Sequence, residues 1–429
     1  MNKFIFVLLV FTGFASLLRP WIGIIGAYLF IILTPQCIWW WSFSGIPRPV
    51  YWILVPTIIG FAVGILHKKI SLSPLKSKLN LILFCLWFCF VISYFCGPYV
   101  KVYSEYRFTN PKMIINLVNK IFLLYFMAVC CINSKFKLKL LVLVIIASAI
   151  YLIWWANAQY FFYHHHGRLG GPTPLHGVSI YTDENTFGML FVVALPFLYY
   201  TGLYTDSLVL RGLLWMCVIF GWHAIFLTGS RGALIGLIVT LLLACIMSNM
   251  KKLFSMVLII FTIFFLWQAG AVMKERLSTI AHFENEHSAT TRLEAWQAAL
   301  NMIWDNPVCG VGIASFGPAF PYYSSAEPRV AHNSFLEVAA ETGVLGGILW
   351  LFIFLVFFAS YKRNLKLLRQ NRDRFFSMLN EALFISFSGF FVCSMFLSLE
   401  VYEIFYYLCV LHSTCNYLIE RDHGSLVRM

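Results

Sequence analysis

The fold class this sequence predicts is an all-α polytopic membrane protein, and three observations predict it. Of 429 residues, 60% are hydrophobic and only 11% are charged, against roughly 25% charged in a soluble domain. The apolar residues come in runs of about 17–20, the length of a membrane-crossing helix and about twice that of a barrel strand. Lysine and arginine, finally, concentrate in alternate loops between those runs, the charge pattern that orients helical membrane proteins.

The runs lie at about 4–18, 21–35, 50–66, 80–96, 114–133, 140–157, 185–203, 209–228, 231–248, 253–271, 337–359, 378–398 and 404–419. Between them, "HKKISLSPLKSKLN" (67–80), "SKFKLK" (134–139), "MKK" (250–252) and "YKRNLKLLRQNRDR" (361–374) are basic and are expected on the cytoplasmic side. Loops 97–113, 158–184 and 272–336 are poorer in lysine and fall on the opposite side. Twelve or thirteen transmembrane helices follow: thirteen put the N-terminus outside, and twelve result if one of the two short opening runs is a half-helix. The opening "MNKFIFVLLVFTGFASLLRP" is followed almost at once by a second run and carries no A-x-A site, so it is expected to stay as a helix. The chain thus divides into N-terminal transmembrane helices (1–271), a large, partly helical periplasmic loop (272–336) and C-terminal transmembrane helices (337–429).

Within that loop, "TTRLEAWQAALNMIWDNPV" (290–308) spaces Leu293, Trp296, Ala299, Leu300 and Ile303 at helical period. Thr290 or Thr291 is placed to cap it, Glu294 follows in the first turn, and Asn306-Pro307 stops it. This helix is expected to lie along the membrane surface. The glycine-spaced "GVGIASFGPAF" (310–320) follows a helix instead of a strand, which argues against a nucleotide loop and for a close-packed turn returning Phe316 and Phe320 to the membrane domain.

Several function classes drop out. The net charge of +13 sits in short loops, which reads as orientation signal and anionic-lipid contact, not nucleic-acid binding. Most of the twelve cysteines lie inside apolar runs, where the thiol acts as a small hydrophobe, and no paired CxxC motif marks a zinc or disulfide framework. The three histidines of "HHHGRLGGPTP" (164–174) point apart along a backbone and do not converge on one ion, so no metal site is expected.

What remains is polar chemistry gathered on the outer face. Arg168 stands in the loop just named, and Asn185 in "YTDENTFG" (181–188). Arg231 occupies the tight turn "TGSRGA" (228–233), Arg292 the amphipathic helix, and His332-Asn333 the entry of the next run. A guanidinium at the edge of hydrocarbon faces a partner or a wet cavity. Two of them with few neighbouring acids suit a phosphate or pyrophosphate, whose oxygens match the planar fork. The plainer account makes them interfacial snorkellers on lipid headgroups. His332 is the residue here that can move a proton near neutral pH and act as a general base toward a hydroxyl. Its plainer account is helix entry, with Asn333 or Ser334 as N-cap and Glu337 as the partner of Ser334.

The succession "TGSRGALIGLIV", "RLEAWQAALNMIWDNPVCGVGIASF" and "AHNSFLEVAAETGVLGGILWLFIF" resembles the O-antigen ligase family, whose shared region also occurs in O-antigen polymerases. The resemblance runs from about 165 to 360. The opening "RPWIGIIGAYLFIILTPQCIWWWSFSGIPRP" is similar, more loosely, to the branch of O-glycosylation ligases that accompany exosortase systems. The resemblance implies a metal-independent, inverting glycosyltransferase without cofactor in the bacterial inner membrane. It implies a glycan donor on undecaprenyl pyrophosphate and an acceptor hydroxyl, that of lipid A-core in the ligases, joined at the periplasmic face. Arg231 and Arg292 would bind the pyrophosphate and His332 would activate the acceptor, with Arg168, Asn185 and Asn333 as further substrate contacts. A polymerase or a protein-directed ligase would use the same donor chemistry. A lipid-linked-sugar transporter would instead show ionisable residues mid-span and repeated halves, which this sequence does not.

Overall fold

The computed structural model describes residues 3–102, 110–174, 179–247, 287–371 and 373–423, together with positions 259 and 263. Apart from those two positions, the expected run at 253–271 and the "MKK" loop before it lie outside the described residues. Among the described residues all regular structure is helical: α1 (Lys3–Leu18), α2 (Pro20–Ile32), α3 (Pro35–Ile38), α4 (Trp40–Phe43), α5 (Tyr51–Leu66), α6 (Lys78–Cys96), α7 (Pro111–Cys131), α8 (Lys135–Phe161), α9 (Glu184–Tyr204), α10 (Leu208–Thr228), α11 (Arg231–Met247), α12 (His287–Asp305), α13 (Phe316–Ala319), α14 (Ser334–Asn371), α15 (Arg374–Ser394) and α16 (Glu403–His423). Seven of these, α6 to α10 with α14 and α15, are long and apolar enough to cross a membrane; α1, α2, α5 and α11 are shorter apolar helices. The chain is a multi-pass helical membrane protein. The opening pair is short indeed: α2 has 13 residues, about 20 Å at 1.5 Å per residue against a hydrocarbon core of about 30 Å.

Two basic segments expected as loops continue as helix. Ser134 caps α8, its side chain accepting from Lys137 N at 3.4 Å, so Lys135, Lys137 and Lys139 lie within the first turns. α14 likewise runs through "YKRNLKLLRQN" to Asn371. Leucine, lysine, arginine and glutamine are good helix formers, and Leu367 and Leu368 are buried against the bundle, so nothing there stops the helix.

The bundle has two chemically different ends. At one, Lys135 pairs with Asp373 at 2.5 Å, Arg374 with Asp206 at 2.9 Å, and Arg421 donates to Asn133 O at 2.9 Å. Two of the basic segments that the charge pattern grouped together, 134–139 and 361–374, therefore meet in space. At the other end, Tyr99 N donates to Val311 O at 3.1 Å and Leu169 N to Leu227 O at 3.0 Å, which joins the loops that lysine avoids. Between the ends α9 is the hub. Every residue from Phe187 to Leu198 is buried, as expected of a helix apolar all round, with α8, α10, α11 and α15 packed about it.

Candidate functional site

The polar start of α14 has a structural cause. Asn333 is its N-cap: the side-chain oxygen accepts from Phe335 N at 3.0 Å and Leu336 N at 3.2 Å, satisfying donors that the first turn leaves open. The alternative pairing of Ser334 with Glu337 does not form. Ser334 instead donates to Leu397 O at 2.6 Å and accepts from Leu399 N at 3.0 Å, and Glu337 accepts from the Ser398 hydroxyl and the Ala331 N–H. Capping by Asn333 requires the chain to turn sharply just before it. His332 makes that turn at φ +49°, a left-handed conformation uncommon for a residue with a Cβ.

Glu341 explains a second feature, a break inside α14. Gly343 departs from helical geometry at φ 82°, ψ 176°, and segment 307–316 fills the gap. Val344 N donates to Pro307 O at 2.9 Å, Val311 N to Ala340 O at 2.8 Å, and Gly312 N to Glu341 O at 3.2 Å. The Glu341 carboxylate accepts from Ala314 N at 2.8 Å and Phe316 N at 3.1 Å. A Cβ at Gly343 would stand 2.5 Å from Val308 O, so a glycine is required there on both conformational and steric grounds. The "GVGIASF" turn is thus clamped onto the helix break, and it returns Phe316 and Phe320 to buried positions.

On that platform rests α12. It begins at His287, ahead of the expected cap at Thr290 or Thr291. Its buried face is Ala295, Ala298, Ala299 and Met302, while Leu293, Leu300 and Trp304 are exposed, Trp304 at 85%. The alanines allow α12 and α14 to approach closely, and the larger apolar residues are left facing outward. One turn beyond Arg292, the Trp296 indole donates to Ala331 O at 3.0 Å. The residue before His332 is thereby fixed to the helix that carries Arg292.

Arg292 and His332 consequently line one cleft of about 320 Å³, with Thr291, Glu327, Pro328 and Arg329. Burial holds the His332 imidazole below its ordinary pKa, and the positive charges of Arg292 and Arg329 push the same way; Asp183 opposes them. These influences favour the neutral imidazole, the form that accepts a proton. Arg329 and Asp183 are site residues that the sequence reading missed. The signal for the first was its place three residues before His332, and for the second its place in "YTDEN" beside Asn185.

Asp183 leads to the remaining candidates. It caps α9, accepting from Asn185 N at 2.9 Å and Thr186 N at 3.0 Å. Asn185 accepts in turn from Arg168 at 3.4 Å; Arg168 also donates to Thr228 O at 3.3 Å and pairs with Glu184 at 3.5 Å. Arg168 and Asn185 thus brace the protein, and the wall they brace is the turn bearing Arg231. That turn ends α10 at Thr228 and opens α11 at Arg231, with the Ser230 side chain accepting from Ala233 N at 3.3 Å. It packs against Phe396 through Gly232, next to the Leu397–Leu399 strap that holds Ser334. Arg231 is half-buried and lies outside the residues lining the Arg292–His332 cleft. It is tied to that cleft through two short links, Asp183–Asn185–Arg168 and the 396–399 strap. Of the three histidines, His165 approaches Arg168 O at 3.2 Å and His166 packs edge-on against Tyr160. Among the described residues no group of three His, Cys, Asp or Glu is placed to hold a metal ion.

No curated protein matches the chain significantly. Residues 215–351 match the family model described as O-antigen ligase. The matched region, about a third of the chain, carries Arg231, Arg292 and His332 together with the Trp296 tie, the Asn333 cap and the helix break at Gly343, and over this region the chain is similar to the O-antigen ligase family.

Proposed function

We propose that the chain is a glycan ligase acting at the periplasmic face of the bacterial inner membrane, with undecaprenyl pyrophosphate as glycan carrier and a lipid A-core hydroxyl as acceptor. The observation that carries this reading is the shared cleft of Arg292 and His332, in which an imidazole stands beside guanidinium groups. In the proposed step His332 takes the proton of the acceptor hydroxyl as its oxygen bonds the anomeric carbon. The bond from that carbon to the pyrophosphate oxygen breaks, and the electron pair leaves with undecaprenyl pyrophosphate. One displacement inverts the anomeric configuration. Arg292 and Arg231 neutralise the negative charge growing on the leaving group, the role that fixed donors perform best when placed beforehand. Arg231 opens α11, where the helix dipole disfavours a cation; an anion bound at that point gains from both. Arg329 adds a second positive charge to the cleft beside Arg292, and the charge of Asp183 acts on the imidazole from the start of α9.

The test is transfer in vitro by the purified full chain, supplied with lipid-linked glycan and lipid A-core. Glycan-capped core is the expected product, and His332→Gln is expected to abolish it while the protein still inserts and purifies normally. Lengthening of the lipid-linked chain without capped core would make the protein a polymerase. Full activity of the His332 variant would remove the proposed base.

A further inference from the structure

A second polar feature lies away from the cleft, on the surface of a membrane-spanning helix. Lys112, Asn116 and Lys120 recur every fourth residue along α7, and all three are exposed. Asn119 beside them accepts from the Trp87 indole at 2.8 Å. Lys120 lies nine residues into the helix, about 14 Å below its start at 1.5 Å per residue. A cation at that depth is costly in hydrocarbon unless it reaches a polar level or a partner. It reaches an aromatic partner: its ammonium lies 5.5 Å from the ring centroid of Tyr51, the first residue of α5. Arg48 approaches the same ring at 5.9 Å, from a backbone held at φ +46°. Two cations therefore share one aromatic ring. Among the described residues no carboxylate lies within ion-pair distance of either.

Lys120 and the shared Tyr51 ring line a groove of about 160 Å³ between α2, α5, α7 and α16. Its walls are mainly apolar, with Ile31, Leu54, Leu117 and Leu124 among them; Tyr51 and Lys120 stand in its lining and Glu403 marks its α16 side. A pair of cations without a carboxylate at ion-pair distance, beside a narrow and mainly apolar groove, is complementary to an amphiphile with a phosphate head and a hydrocarbon chain. Snorkelling toward the headgroup level accounts for the reach of Lys120 alone. It does not account for a second cation converging on the same ring beside a groove.

We propose that this groove binds a phosphate-bearing lipid of the surrounding leaflet, its phosphate between Arg48 and Lys120 and one chain lying against Leu54 and Leu117. The assignment stands apart from the transfer reaction, because lipid retention is read without donor or acceptor. The experiment is native mass spectrometry of the full chain in neutral detergent, with phosphatidylglycerol, a phosphate-free diacylglycerol, or inorganic phosphate as probe. One retained phosphatidylglycerol is expected, with retention at least tenfold lower in the Arg48→Gln/Lys120→Gln double variant. Restoration is expected in Arg48→Lys/Lys120→Arg, which also shows that the substituted site still folds. Equal retention by the wild-type and glutamine forms would overturn the proposal, as would equal retention of the diacylglycerol. Displacement of the lipid by inorganic phosphate at millimolar concentration would overturn the lipid assignment in favour of a free-anion site.

Discussion

The Trp296 indole donates a hydrogen bond of 3.0 Å to the carbonyl of Ala331, and through it the helix of Arg292 holds the loop of His332. A single neutral hydrogen bond contributes about 0.5–1.5 kcal/mol, which is up to about tenfold in rate if it decides how His332 stands. Trp296→Phe keeps a ring in place and removes the donor. Its turnover is expected to fall about three- to tenfold, with membrane insertion and thermal stability close to wild type. Unchanged turnover in a transfer assay would show that the tie does not position the imidazole.

The two arginines are expected to differ from lysine in kind. Arg292→Ala and Arg231→Ala should each lower transfer by about 100-fold or more, the usual cost of losing a fixed donor to developing charge. Arg292→Lys keeps the charge but loses the fork that meets two phosphate oxygens at once. It should recover part of the rate, and initial rates at saturating acceptor will rank the three proteins.

A pH profile reports the His332 environment. Burial, then Arg292 and Arg329, hold its pKa below the ordinary value, with Asp183 opposing. A base is active when neutral, so transfer should fall only as pH drops through that depressed value, below the usual imidazole midpoint of about 6.5. Arg329→Gln removes one positive charge, which raises the pKa and moves the acid limb to higher pH. Rates of the two proteins should converge again in alkaline buffer. An acid limb that stays fixed in Arg329→Gln would separate that limb from His332.

Glu341 and Gly343 should govern stability before they govern rate. Glu341→Ala leaves the Ala314 and Phe316 N–H groups without their acceptor, and a buried unsatisfied donor costs about 1–3 kcal/mol. Glu341→Gln keeps one acceptor oxygen and should cost less. Gly343→Ala meets the Val308 carbonyl and an unfavourable φ together, so it should be at least as damaging as Glu341→Ala. Unfolding temperature in detergent, followed by intrinsic tryptophan fluorescence, will order them.

Charge neutralisation by guanidinium also predicts indifference to chelation. Transfer should persist in excess EDTA, and restoration of activity by Mg²⁺ in a chelated sample would contradict the roles given to Arg231 and Arg292.

The membrane spans were legible because a bilayer leaves few options: a run of apolar residues of the right length becomes a helix. The two chemical ends of the bundle were legible from the loop charges for the same reason. Helix ends were less so. The basic runs 134–139 and 361–371 looked like loops by charge, yet lysine, arginine and leucine also suit a helix, and burial of Leu367 and Leu368 decided the matter. At the start of α14, Asn333 and Ser334 were equally good caps by composition. The choice fell to Asn333 because Ser334 is held by Leu397 and Leu399, far along the chain. Glu400 had no place in the sequence reading; the fold sets it near Glu337 and Glu341, close enough for their charges to interact.

By itself the sequence determined a helical membrane protein with arginine, histidine and asparagine stationed at the less basic end, since hydrophobic length and loop charge act locally. Tertiary structure alone decided that Arg292 and His332 share a cleft, and that Arg168 and Asn185 brace the turn of Arg231. Those pairings depend on a tryptophan reaching a distant carbonyl, a helix broken at one glycine, and alanines that let α12 close onto α14. Each is a contact between residues far apart in the chain, and no local pattern encodes such a contact.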